Sequence, residues 1–132
     1  MRVYLCRHAQ AAPGEPDELR SLTPEGEAQA VRLGEWLAAG GQATPVVVVS
    51  SPLLRARQTA ALVARTIGTE LRVDARLSPG TGVEELRAVI RDLTGPVAAV
   101  GHQPDCSDIV VALTGRDPGC APAGVATIEL EP

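Results

Sequence analysis

Val46-Val47-Val48-Val49-Ser50-Ser51-Pro52-Leu53-Leu54-Arg55-Ala56 is the stretch that decides the fold. Four valines in a row have no polar face. They read as a strand buried on both sides, the pattern of a parallel sheet covered by helices. Ser50-Ser51-Pro52 breaks the run. From Leu53 to Ile67 the spacing turns helical, with Ala56, Ala60, Val63 and Ile67 on one stripe and Gly68 as the stop.

The same alternation extends outward in both directions. Towards the N-terminus, Val3-Tyr4-Leu5-Cys6 reads as a buried strand and residues 11–22 as a loop rich in Pro, Gly and acids. Thr23-Pro24-Glu25 is a helix start, with Thr as N-cap, Pro at the first helical position and an acid in the first turn. Ala30, Leu33 and Leu37 follow at helical spacing, and Gly40-Gly41 stops the helix. Towards the C-terminus, Leu71-Arg72-Val73 is a short strand. Leu86, Val89, Ile90 and Leu93 mark a third helix, stopped by Gly95-Pro96. Val97 to Val100 is another buried strand, and Asp105 to Leu113 a short helix ending at Gly115. Val125 to Glu131 alternates Ala126, Ile128 and Leu130 with Thr127, Glu129 and Glu131, as a half-exposed strand at or near a sheet edge does. This order predicts an α/β fold, a largely parallel sheet with helices on both faces. No linker and no fixed-period repeat divides it, so residues 1–132 are expected to form one domain.

Composition narrows the chemistry. All twelve basic residues are arginine; with no lysine, Schiff-base catalysis and a P-loop nucleotide site are excluded. Sixteen acids leave a net charge of −4, and Trp36 and Tyr4 are the only aromatics, so nucleic acid is not an expected partner. Only two histidines are present, which argues against a histidine-based zinc site. Cys6, Cys106 and Cys120 are an odd number without a CxxC pair, which points to a reducing, cytoplasmic setting. The run MRVYLCRH meets charge by residue 7, too early for a signal peptide or a membrane span. No large exposed apolar stripe is evident, so a monomer is expected. Cys6 should point into the core. Cys106, near a helix start, is more exposed to the helix dipole and is an oxidation-sensitive candidate, though expected to be incidental. Trp36 falls in a helix stripe as core or partly exposed packing.

Ligands of open α/β sheets bind beyond the carboxyl ends of the strands. Arg7-His8 follows the first predicted strand, Ser50-Ser51-Pro52 and then Arg55 the second, and Gly101-His102 the fourth. Both histidines and two arginines therefore share one rim. Taken singly, each has a plain structural reading; Arg7, for instance, could pair with an acid of residues 15–18. Jointly they form a phosphate site. Arginine forks grip phosphoryl oxygens, a neutral imidazole attacks phosphorus, and a second, protonated histidine meets the charge that builds on an equatorial oxygen. No metal or other cofactor is needed. His102 with Asp105 makes a weak metal pair, lacking a third convincing ligand.

These residues carry a family resemblance. Leu5-Cys6-Arg7-His8-Ala9 resembles the LxRHG signature of the histidine phosphatase superfamily, the phosphoglycerate mutase-like fold. Residues 50–60, SSPLLRARQTA, are similar to its SSPxxRAxQTA segment, Val100-Gly101-His102-Gln103-Pro104 to its GHxP motif, and Arg20-Ser21-Leu22-Thr23-Pro24-Glu25-Gly26 to the RxLTxxG segment of the small bacterial phosphohistidine phosphatases. The resemblance implies a three-layer α/β/α sandwich with an antiparallel C-terminal strand, its first and fourth strands central neighbours. It implies that His8 is the nucleophile, that Arg7 and Arg55 hold the phosphoryl oxygens, that His102 completes the pocket and that Arg20 also reaches the phosphate.

Two positions depart from the pattern. Ala9 stands where the signature has glycine, which suits a backbone of negative φ. Where the larger family places an acid, after the third strand, this chain has Asp74-Ala75-Arg76-Leu77-Ser78-Pro79-Gly80, with Glu84 and Glu85 opening the next helix. Alkoxide leaving groups need a proton from a general acid; the imidazole of phosphohistidine does not. The short spans between motifs predict an open pocket. Phosphohistidine on a partner protein is therefore the expected substrate, with inorganic phosphate as product. A small-molecule phosphomonoesterase and a non-catalytic phospho-binding module are the alternatives. Mutase chemistry, which needs a closed pocket, is not expected.

Overall fold

The computed structural model describes residues 1–39 and 42–132. Five strands run as β1 (Arg2–Arg7), β2 (Val47–Ser50), β3 (Glu70–Val73), β4 (Val97–Gly101) and β5 (Val125–Glu129). Four α-helices alternate with them: α1 (Pro24–Ala38), α2 (Leu54–Ile67), α3 (Val83–Arg91) and α4 (Asp105–Thr114). The sheet order is β3-β2-β4-β1-β5. All pairings are parallel except β1 with β5, so the antiparallel strand lies at one edge.

Strand alternation sorts the core into two layers. Val3, Leu5, Val47, Val49, Val97 and Ala99 face Leu86, Val89 and Ile90 of α3 and Ile109 and Val110 of α4. Tyr4, Cys6, Val48, Ala98 and Val100 face Leu33 and Leu37 of α1 and Ala56, Ala60 and Val63 of α2. Helices on both sides of one sheet make the three-layer α/β/α sandwich.

Helix α1 starts as its sequence dictates: Thr23 Oγ1 accepts the Gly26 N–H at 3.0 Å, with Pro24 in the first turn. Gly26 itself is required by packing, because a methyl there would collide with the Gln10 carbonyl. The first turn of α1 is thus pressed against the residues just after His8. The predicted stop at Gly40-Gly41 lies outside the described residues.

Three details differ from the sequence reading. Val46 is half exposed and precedes β2 instead of opening it. Helix α3 ends at Arg91, short of Leu93, because the Asp92 and Leu93 N–H groups bond to Val89 and Ile90 three residues back, which tightens the last turn. Cys106 is fully buried, since the first turn of α4 packs onto β1 and its Sγ lies 3.6 Å from the Cys6 carbonyl. Burial pushes its thiol up to about 12, so it is not a reactive cysteine. Cys6 is buried in the core and Trp36 is partly exposed, edge-on to Tyr4 at 6.4 Å between ring centroids. Among the described residues no helix is long and apolar enough to cross a membrane.

Candidate active site

Strands β1 and β4 are adjacent and in register, with Arg7 opposite Gly101. Residues 94 apart in sequence therefore meet: the His8 and His102 rings lie 5.3 Å apart between centroids, tilted by 59°. Backbone bonds knit the strand ends together. His8 N donates to the Gly101 carbonyl at 3.0 Å, Ser51 N to Val100 at 3.0 Å, and Cys106 N to His102 at 3.0 Å.

The His8 ring is fixed in one tautomer. Its Nδ1 is 2.7 Å from the Ala9 carbonyl, an acceptor, so Nδ1 carries the proton and Nε2 keeps its lone pair. Burial lowers the His8 pKa, the hydrogen bond to the Ala9 carbonyl partly offsets it, and the charges of Arg55, Arg7 and Arg20 lower it further. The ring is therefore neutral at physiological pH. Ala9 is fully buried with negative φ, and its N–H donates to Thr59 Oγ1 at 3.0 Å. Thr59 in turn donates to the Arg55 carbonyl at 2.8 Å, joining the end of β1 to the start of α2.

His102 is nearly fully buried, and its Nε2 pairs with Ser51 Oγ at 2.7 Å. Burial, then the influence of His8 and Arg55, lowers its pKa to about 4, with Asp17 acting weakly in the opposite direction. The protonated partner expected from sequence is thus a neutral ring before an anion arrives. A phosphoryl dianion alongside would favour its protonation.

Three arginines lie near enough to His8 for their charges to act on its ring. Arg7 Nη1 donates to the Cys120 carbonyl at 3.1 Å, and its backbone N–H to Gly124 at 3.0 Å. The segment 120–124 turns back under β1 through Ala123, whose φ of 57° is left-handed and whose N–H donates to the His8 carbonyl. Arg55 is buried at the start of α2, with Nη1 donating to the Asp17 carbonyl at 2.9 Å and Nη2 to Asp17 Oδ2 at 3.2 Å. Arg20 reaches the same carboxylate, Nη1 to Oδ1 at 3.1 Å, while its Nε holds the Ala12 carbonyl at 2.9 Å. The acid of residues 15–18 therefore pairs with Arg55 and Arg20, and Arg7 has none.

Arg7 Nε, Arg55 Nε and His102 Nδ1 are the buried side-chain polar atoms without a partner among the described residues. All three belong to residues that the strand-end argument singles out. Buried donors are paired almost everywhere in folded proteins, so this concentration marks a place built for a ligand.

Sequence reasoning missed Asp17, Ser51 and Thr59. The Asp17–Arg20 spacing of three, on a short 3-10 turn (Asp17–Leu19), was the available signal for the first. Three of the acids after β3 have partners of their own. Asp74 caps the turn Ala75–Leu77 and pairs with Arg76 at 2.7 Å, Glu84 lies 3.5 Å from Arg87, and Asp105 accepts the Gly80 N–H at 2.7 Å. Among the described residues no group of three His, Cys, Asp or Glu could hold a metal ion.

A three-layer sandwich with paired histidines and an arginine cradle on one rim of its sheet defines the phosphoglycerate mutase-like class. The profile of the histidine phosphatase superfamily (branch 1) matches residues 3–79. The chain is 37% identical over 112 residues to the uncharacterized protein Rv1276c of Mycobacterium tuberculosis H37Rv, covering 81% of this chain and 68% of that protein. It superimposes on the protein histidine phosphatase SixA complexed with tungstate at a TM-score of 0.85 and 27% identity, over 99% of this chain and 89% of SixA. The fold, at 20% identity, is also that of the mycobacterial glucosyl-3-phosphoglycerate phosphatase Rv2419c (TM-score 0.73, 97% and 90% covered). The chain belongs to the histidine phosphatase superfamily. It is a phosphatase.

Proposed function

We propose that this phosphatase hydrolyses phosphohistidine on a protein, in two steps through a phosphorylated His8. His8 Nε2 attacks phosphorus in line while Arg7, Arg55, Arg20 and His102 meet the charge on the equatorial oxygens. The bond from phosphorus to the leaving nitrogen breaks, and its electron pair stays on that nitrogen. Water then attacks phospho-His8, releasing inorganic phosphate and restoring the neutral ring.

The observation that carries the substrate class is the state of the nearby carboxyls. Asp17 is held ionised by the hydrogen bond from Arg20 and the charge of Arg55, so it is not a proton donor. Asp74 pairs with Arg76, and Asp105 accepts the Gly80 N–H. A site without a ready acid favours leaving groups that depart unaided, and imidazole is one. The likeness to SixA supports the same reading, and the tungstate it binds is a tetrahedral oxyanion of phosphate's shape.

The test is a parallel measurement of kcat/KM on a phosphohistidine protein and on sugar phosphates, with acid-labile phosphoenzyme trapped from wild type and from His8→Ala. Strong preference for phosphohistidine and loss of the trapped species in the variant are expected. Comparable turnover of both substrates would make this a broad phosphomonoesterase. Oxyanion binding without phosphate release would make it a phospho-binding module.

A further inference from the structure

Asp17 is a carboxylate standing inside a phosphate cradle. Its two oxygens are divided between two arginines, Oδ1 to Arg20 and Oδ2 to Arg55, and its own carbonyl takes a third arginine N–H. An acid placed there lowers the pocket's positive charge and should weaken its grip on any dianion. Such a placement needs a reason.

We propose that Asp17 is the specificity-determining residue of the site: an acceptor at its mouth that selects phosphoryl groups carried on a protonated imidazole. The inference rests on the phosphohistidine reading above and names the residue that supplies its selectivity.

Three observations support it. The first is depth. The Asp17 side chain is 57% exposed whereas the Arg55 side chain beneath it is 8% exposed, so the carboxylate lies on the solvent side of the cradle. In-line attack by a half-buried His8 sends the leaving group outward, towards that side. The second is capacity. A guanidinium has five N–H donors, and Asp17 and its carbonyl take one from each Nη of Arg55. The remaining hydrogens can hold phosphoryl oxygens while Asp17 stays in place. The third is charge. Asp17 exerts the weakest of the influences on His102, one that favours a proton on that ring. A carboxylate that favours a protonated imidazole nearby does the same for an imidazole brought in by a substrate.

The chemistry closes without an added acid. Phosphohistidine carries phosphorus on one ring nitrogen and, when reactive, a proton on the other. As the His8 Nε2–P bond forms, the substrate N–P bond breaks and its electron pair remains on the ring. The proton already on the far nitrogen stays, and the leaving group departs as neutral imidazole. An ionised Asp17 accepting a hydrogen bond from that N–H stabilises the form of the substrate that can leave. A phosphoester offers no such proton, and its oxygens meet the carboxylate with like charge.

Phosphoimidazole and p-nitrophenyl phosphate, assayed on wild type, Asp17→Asn and Asp17→Glu, separate the possibilities. In Asp17→Asn, kcat/KM on phosphoimidazole should fall by about tenfold or more, as expected for a lost charge-assisted hydrogen bond. The KM for p-nitrophenyl phosphate should fall as well, because a like charge is gone. The two substrates thus move in opposite directions in one preparation, which cancels any misfolded fraction. Asp17→Glu should recover part of the preference. Equal losses on both substrates would mean that Asp17 only positions the arginines, and equal gains that it only competes for them; either overturns the proposal. A wild type that cleaves the ester but not phosphoimidazole overturns the phosphohistidine reading. A wild-type preference that survives unchanged in Asp17→Asn overturns the role of Asp17 alone.

Discussion

Thr59→Val tests how the His8 strand end is held to α2. Valine matches threonine in shape, so packing at this fully buried position is kept. The Arg55 carbonyl loses the Thr59 hydroxyl but keeps its helical N–H partner. The Ala9 N–H, buried and bonded to Thr59 Oγ1 at 3.0 Å, is left without an acceptor. Orphaning a buried donor costs about 1–3 kcal/mol, so about 2 kcal/mol is the central expectation. For 132 residues, an unfolding entropy of roughly 2.1 cal/mol/K per residue gives about 0.28 kcal/mol/K, and Tm should drop by about 7 °C. Activity should suffer more selectively. The Ala9 carbonyl holds the His8 ring, so a loosened Ala9 misaims Nε2, and kcat on p-nitrophenyl phosphate should fall by about 10–100-fold with a smaller change in KM. Thr59→Ser keeps the hydroxyl and should keep most of the activity. Calorimetry and steady-state kinetics on the three proteins decide the matter. If Thr59→Ser and Thr59→Val lose the same Tm and the same kcat, the hydroxyl is not the tie.

Other expectations follow from the same geometry. His8 must be unprotonated to attack, and its pKa is held below the ordinary 6.5. Once substrate ionisation is divided out, kcat/KM should reach its half-maximal point below pH 6.5; a half-maximal point above 6.5 would contradict this. His102 protonates near pH 4 in the folded protein against 6.5 ordinarily. Between those values the unfolded chain binds a proton that the native ring does not, so stability falls as pH drops from about 6.5 to about 4. Denaturant titrations of His102→Gln should lose that component. Arg55→Lys should lower kcat/KM by about 100–1,000-fold, because a lysine ammonium cannot span the positions its two Nη atoms hold. A loss under tenfold would mean that a point charge suffices there.

The layers of the fold were legible because they rest on local periodicity. Valine runs, helical stripes and the Thr23-Pro24-Glu25 start each state their own conformation. The meeting of His8 with His102 was legible at one remove, since parallel strands put their carboxyl ends on one rim. What escaped is the choice of partners across loops. Residues 11–22 have no periodicity, and whether Asp17 turns to Arg7 or to Arg55 depends on how Ala11–Leu22 bridging folds the loop back. The Cys120 carbonyl that receives Arg7 comes from a segment 113 residues away, with nothing in its own sequence to announce it. Cys106 stood out as oxidation-sensitive from its place by a helix start, while tertiary packing buries that turn against β1.

The placement of β1 between β4 and β5 has a consequence in time. His8 is translated before both neighbours of its strand, which come from the last third of the described sequence. On the ribosome, His8 and Arg7 must wait with one strand edge open to β4 and the other to β5. Catalytic competence therefore cannot accrue gradually as the chain lengthens. It arrives late and at once, when Val125–Glu129 closes the sheet and Cys120 captures Arg7. A nascent chain stalled before that point would hold His8 and Arg7 without the surroundings that aim them, so it should release no phosphate.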